Sequence, residues 1–87
     1  MTTEINDFSA KLKVCGLTDI AQANEITKMN VDFLGFIFYE KSPRFVLNHL
    51  TLNEISSIKH PGKVGVFVNE IAEKIAEIAE KANLNFI

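Results

Sequence analysis

The 87-residue sequence holds one cysteine, two prolines, four glycines and no tryptophan. A lone cysteine, Cys15, cannot close an internal disulfide, which excludes the stapled scaffold of small secreted domains. Neither sign of charge dominates: nine Lys and Arg stand against eleven Asp and Glu, for a net charge of −2. That balance lacks the basic surplus of a nucleic-acid binder and the run of an acidic tail. The longest apolar run, Phe33 to Tyr39, is seven residues, far too short to span a bilayer. The first ten residues include Glu4, Asn6 and Asp7 and have neither the basic start nor the apolar centre of a signal peptide. Residues 1–10 are therefore expected to be a polar leader to a single domain over 11–87, in a cytoplasmic, reducing compartment. With 47% hydrophobic residues, the chain can bury a core, and disorder is excluded.

Two kinds of segment then alternate. Lys11–Cys15 is apolar at alternate positions and is broken by Gly16, as expected of a strand. A helix is predicted over Thr18–Met29, with Thr18 or Asp19 as its cap. Asp32–Phe38 is apolar on both faces, the pattern of a parallel strand covered on both sides. Thr51-Leu-Asn-Glu54 has the spacing of a capping box, opening a helix that runs to about Lys59 and stops before Pro61-Gly62. A third buried strand is expected over Lys63–Val68. Asn69 is then placed to cap an amphipathic helix from Glu70 to about Ala82, with Ile71, Ile75, Ile78 and Ala82 on one stripe. Glu70–Lys74 and Glu77–Lys81 are spaced four apart on its other side. Asn83 is a left-handed C-cap candidate, and Asn85-Phe-Ile87 begins a fourth strand. The order β-α-β-α-β-α-β implies right-handed crossovers and an α/β parallel sheet of βα units. Continuous apolar strands in so small a sheet leave faces or edges uncovered, and the chain is expected to be the N-terminal part of something larger.

Three stretches carry more specific information: Lys13-Val-Cys-Gly-Leu-Thr18, Gly35-Phe-Ile-Phe-Tyr-Glu-Lys-Ser-Pro-Arg44 and Lys63-Val-Gly-Val-Phe-Val-Asn69. In order and spacing they resemble the N-terminal portion of phosphoribosylanthranilate isomerases, tryptophan-pathway enzymes built as eight-fold β/α barrels. Leu17 stands where that family usually has Ile. The resemblance runs from about Lys11 to Ile87. It implies the first three and a half units of a TIM (β/α)8 barrel, an incomplete barrel, since a complete one needs roughly 200 or more residues. It also implies an Amadori rearrangement of N-(5-phosphoribosyl)anthranilate to 1-(2-carboxyphenylamino)-1-deoxyribulose 5-phosphate. In the family a cysteine at the end of the first strand is the general base, which maps onto Cys15. An aspartate from a later strand is the acid, and the resemblance finds no counterpart for it among these residues. Arg44 maps onto the group that holds the anthranilate carboxylate, a task suited to a planar guanidinium fork.

The residues themselves leave alternatives open. Cys15 lies at the strand end where such barrels place their chemistry, beside a helix start that favours thiolate; equally, a lone cysteine is commonly a small core residue. Arg44 without its motif is an ordinary loop arginine, and Pro43 stiffens its loop. Lys13 points into the barrel or faces out at an edge. Lys41 reads as surface charge, Asp32 as a turn or cap residue, and Asn69 as a pocket or capping residue. His49 and His60 have no partners at ligand spacing, so no metal is expected. Gly16, Gly35, Gly62 and Gly65 form no phosphate loop. The expected partner is a phosphorylated small molecule, with no cofactor, nucleic acid or membrane, and with self-association through exposed strand edges. The isolated chain is expected to be inactive. Two other readings stand beside this one: a non-catalytic flavodoxin-like binding module, and another sugar-phosphate-binding barrel.

Overall fold

The computed structural model describes residues 4–8 and 11–87. Its elements are β1 (Glu4–Phe8), β2 (Lys11–Cys15), α1 (Ile20–Thr27), β3 (Phe33–Ile37), α2 (Leu52–Ser57), β4 (Lys63–Val66) and α3 (Ala72–Lys81). The sheet order is β1-β2-β3-β4. β2, β3 and β4 are parallel, with Val14 opposite Leu34 and Gly35 opposite Val64. A helix follows each parallel strand, as the alternation in the sequence required. The anticipated fourth strand is present as a single parallel bridge from Phe86 to Val64, made by Gly65 N–H on Phe86 O at 3.0 Å and Phe86 N–H on Lys63 O at 3.0 Å.

Part of the expected polar leader forms strand β1. Glu4–Phe8 pairs antiparallel with the whole of β2, from Glu4 opposite Cys15 to Phe8 opposite Lys11. A strand is held by its backbone, so polar side chains concealed one here. Residues 1–3, 9 and 10 of the leader lie outside the described residues.

One apolar layer lies between the sheet and the helices. It contains Val14, Leu34 and Phe36 from the strands, Leu17, Ala23, Ile55 and Ile58 from the first two crossovers, and Ile78 and Ala82 from α3. Fully burying one such large side chain stabilises by about 1.5–3 kcal/mol. The helix ends follow local chemistry. Asp19 caps α1 by accepting from Gln22 N–H at 3.0 Å. Thr51 and Glu54 form both halves of the capping box. Asn83, with φ 55°, occupies the left-handed position after α3. The pairs Glu70–Lys74 and Glu77–Lys81 form at 3.7 and 2.9 Å.

The start of α3 departs from expectation. Asn69 does not cap it: Asn69 has φ 51°, and the cap position is Ile71, which has no side-chain capping bond. Asparagine tolerates the left-handed region, so the chain makes one more turn before the helix begins. Glu70 instead accepts the Ile71 N–H at 3.0 Å. Ile71 falls off the buried stripe and is 65% exposed.

The N-terminal ends of the strands are tied by polar side chains. Asp32 accepts the Leu12 N–H at 2.8 Å and returns its own N–H to Leu12 O at 3.0 Å, the turn role expected of it. His60 Nδ1 accepts from Gly62 N–H, which leaves Nε2 to donate to Val31 O, each at 2.9 Å. Lys63, at the first position of β4, is only 1% exposed. Its ammonium donates to Ile55 O (3.1 Å), Ser56 O (3.4 Å) and Ala82 O (3.3 Å), gathering the C-terminal carbonyls of α2 and α3. Ile55 O also accepts the Ile58 N–H at 3.1 Å, but the last carbonyls of a helix have an incomplete set of partners within it.

Replacing Lys63 by Met leaves those carbonyls without this donor and is expected to cost about 1–3 kcal/mol in urea unfolding. Burial pushes the Lys63 pKa below its ordinary 10.5. The unfolded chain then binds the proton more tightly between the lowered pKa and 10.5. Across that window the wild type should gain stability relative to Lys63→Met as pH rises. A stability difference that falls with rising pH would contradict this.

Candidate functional site

Alternation along the strands fixes which side chains share a face. Val14, Leu34 and Phe36 lie in the helix-side core, so Lys13 and Cys15 of β2 and Phe33, Gly35 and Ile37 of β3 belong to the opposite face. The same rule sends Lys63 toward the helices and Val64 and Val66 away from them. Lys13 thus shares the face of Cys15 and is half-buried, which decides between its two orientations. Phe33 meets Phe86 edge-on there, with ring centres 5.6 Å apart.

Cys15 is the last residue of β2, 8% exposed. Its sulfur lies against Gly35: a Cβ built at position 35 would stand 2.8 Å from Sγ and 3.1 Å from Cys15 Cα and Cβ. The chain then turns at Gly16, whose φ of 82° would cost an L-residue roughly 1–2 kcal/mol. Gly16 N–H and Leu17 N–H both reach Gly35 O, at 3.1 and 3.2 Å. The turn after β2 is therefore bonded to the strand that makes room for the thiol.

Arg44 arrives at the same end of the sheet from the segment following β3. That segment is anchored from beneath by Val46 (0% exposed) and Leu50 (5%) and joined to β3 by a parallel bridge between Phe45 and Ile37. Above the anchors, Ser42 Oγ accepts the Arg44 N–H at 3.1 Å, Ser42 O accepts the Phe45 N–H at 3.1 Å and Tyr39 O accepts the Ser42 N–H at 2.9 Å. Arg44 lies over Gly16, where an added Cβ would meet Arg44 Cδ and Nη1 at 2.9 Å and Cζ at 3.2 Å. Thiol and guanidinium are thus carried on consecutive C-terminal strand ends, with Gly16 between them.

The other candidates separate from this pair. Lys41 and His49 are exposed, His60 is engaged at the opposite end of the strands, and among the described residues no group of acidic, His or Cys side chains is arranged to hold a metal ion. No helix among them is long and apolar enough to cross a membrane. Asn69 lines a cavity of about 270 Å³ with Tyr39, Phe45, Leu47, Val68 and Lys74, but neither Cys15 nor Arg44 borders that space. Sequence reasoning did not find the close approach of Gly16 to Arg44 or of Gly35 to Cys15. The only signal was a glycine after the strand and another inside its neighbour.

The family model of N-(5'phosphoribosyl)anthranilate (PRA) isomerase matches residues 12–87. The chain belongs to the phosphoribosylanthranilate isomerase family. It is 40% identical over 78 residues to the N-(5'-phosphoribosyl)anthranilate isomerase of Desulfatibacillum aliphaticivorans, covering 88% of this chain and 36% of that relative. It is 39% identical over 75 residues to the tryptophan biosynthesis protein TrpCF of Helicobacter pylori, covering 86% and 17%. A solved phosphoribosyl anthranilate isomerase in complex with reduced 1-(o-carboxyphenylamino)-1-deoxyribulose 5-phosphate superposes with a TM-score of 0.69 at 36% identity, over 84% of this chain and 38% of that one. The chain thus spans a little over a third of the single-function relatives it matches. The phosphoribosylanthranilate isomerase fold is a TIM barrel, of which the parallel β2-α1-β3-α2-β4-α3 order supplies the N-terminal part. Membership of this family sets aside the flavodoxin-like reading and that of an unrelated sugar-phosphate barrel.

The seat of Cys15 against Gly35 has a measurable consequence. In the folded chain Cys15 is expected to react with dithiobis(nitrobenzoic acid) at least about tenfold more slowly than in urea, as buried thiols do. Equal rates would place the sulfur at the surface.

Proposed function

We propose that this chain carries the general base and the carboxylate anchor of a phosphoribosylanthranilate isomerase, in Cys15 and Arg44. The observation that supports this is the packing of Arg44 on Gly16, the residue directly after Cys15, at the C-terminal ends of neighbouring parallel strands. That is the end at which β/α barrels carry out their chemistry.

The substrate is N-(5-phosphoribosyl)anthranilate. The guanidinium of Arg44 binds the anthranilate carboxylate through a pair of parallel hydrogen bonds, which fixes the aromatic end and lowers the entropy cost of alignment. An acid opens the ribose ring by protonating its oxygen. Ring opening leaves a protonated C1=N bond. Cys15 takes the proton from the second sugar carbon, and the released electron pair forms a C1=C2 bond as the C=N pair passes to nitrogen. The enolamine then loses its hydroxyl proton and gains one at C1 to give the 1-amino-1-deoxyketose. The acid and the phosphate-binding groups of the family have no counterpart in residues 12–87, so the 87-residue chain by itself is inactive. The substrate is a phosphorylated small molecule, the setting is cytoplasmic, and no cofactor enters the reaction. Uncovered apolar groups, among them Phe86 (50% exposed) and Ile87 (69%), favour association of copies along the β4 edge.

The test is a chimera in which residues 12–87 replace the matched segment of the Desulfatibacillum aliphaticivorans relative. It should be active. Cys15→Ala in it should lower kcat by about a thousandfold or more, and Arg44→Ala should raise KM by about tenfold or more. Full kcat in Cys15→Ala would remove the thiol from the mechanism. The 87-residue chain assayed alone should show no turnover, and sedimentation velocity should find it larger than a monomer. Turnover by that chain, or a strictly monomeric chain, would refute the respective statement.

A further inference from the structure

The two glycines of the site do more than permit turns. We propose that Gly35 and Gly16 are positioning residues that seat the thiol and the guanidinium respectively; this deepens the isomerase reading and rests on it for the roles of Cys15 and Arg44.

The contacts differ in kind. At position 35 a Cβ would stand 2.8 Å from Cys15 Sγ, closer than a Cβ can settle, and 3.1 Å from Cys15 Cα and Cβ, a few tenths of an ångström too tight. Two of those three atoms are held in or beside the β2 backbone, which is fixed by its register with β3. The sulfur alone has a rotatable bond with which to escape, so an added methyl group at 35 rotates or displaces it. The Gly35 carbonyl meanwhile receives Gly16 N–H and Leu17 N–H, so the residue that vacates space for the thiol also fixes the turn leading away from it. At position 16 the obstructing atoms are Arg44 Cδ, Nη1 and Cζ, all on a long, flexible side chain. A methyl group there pushes the guanidinium aside and leaves the Arg44 backbone, held by Ser42 and the buried Val46, in place. One glycine thus controls a proton-transfer group and the other a binding group.

That difference predicts a split in the kinetics of the chimera, with constants normalised to the folded fraction. Gly35→Ala should lower kcat by about tenfold or more with KM little changed, because a misplaced base impairs proton transfer. Gly16→Ala should raise KM by about tenfold with kcat within about threefold, because a misplaced Arg44 weakens binding. A purely structural role lowers the amount of folded protein and leaves both normalised constants unchanged, which would overturn the proposal. A second measurement on the 87-residue chain needs no activity. If the Sγ contact is what Gly35 avoids, adding Cys15→Ala to Gly35→Ala should restore at least half of the lost urea midpoint, or restore folding if Gly35→Ala alone does not fold. A midpoint loss unaffected by Cys15→Ala, or two variants that both fail to fold, would overturn the seating of the thiol. An inactive unmutated chimera would sink the isomerase reading, while this midpoint comparison would still decide the geometry at Gly35.

Discussion

The apolar layer between sheet and helices decides the direction of every strand side chain. With Val14, Leu34 and Phe36 committed to that layer, the two-residue period of a strand leaves Cys15, Gly35 and Lys13 no choice of face. A shift of one residue in β2 would carry Val14 out of the core and turn the sulfur into it. The core contribution of a few large side chains, about 1.5–3 kcal/mol each, is what makes such a slip costly. The chemistry proposed here therefore depends on apolar residues that take no part in it.

The two ends of the parallel strands have divided tasks. At the N-terminal end, Asp32, His60 and Lys63 each satisfy backbone groups that connections and helix ends leave open. At the C-terminal end the corresponding feature is a lack of side chains, at Gly16 and Gly35, beside a thiol and a guanidinium. Side-chain hydrogen bonds to the backbone mark the first end, and close packing against glycines marks the second. This is the division expected of β/α barrels, in which one rim stabilises and the other acts.

Much of the fold was legible because its signals are local. The Thr51–Glu54 capping box, the Glu–Lys pairs of α3 and the left-handed Asn83 need only near neighbours in sequence, and each is present. Failures came where a backbone or a distant group decides. Nothing in the side chains of residues 4–8 announces β1, since pairing to β2 is made by the main chain. Asn69 carries a good capping side chain, yet its left-handed backbone moved the helix start to Ala72. Lys63 was legible only as the first residue of a strand; its acceptors lie seven, eight and nineteen residues away along the chain. The motif around Cys15 and Arg44 singled out the candidate pair, but the closeness of either group to a glycine is a property of register that no spacing rule contains.

The antiparallel pairing of β1 has a topological corollary. In a closed barrel every strand has a neighbour on both sides, and the first parallel strand meets the last one along the very edge that Glu4–Phe8 fills. The amide and carbonyl groups on that edge cannot serve two partners at once. Ring closure along that edge and the pairing of β1 with β2 are thus mutually exclusive uses of one seam.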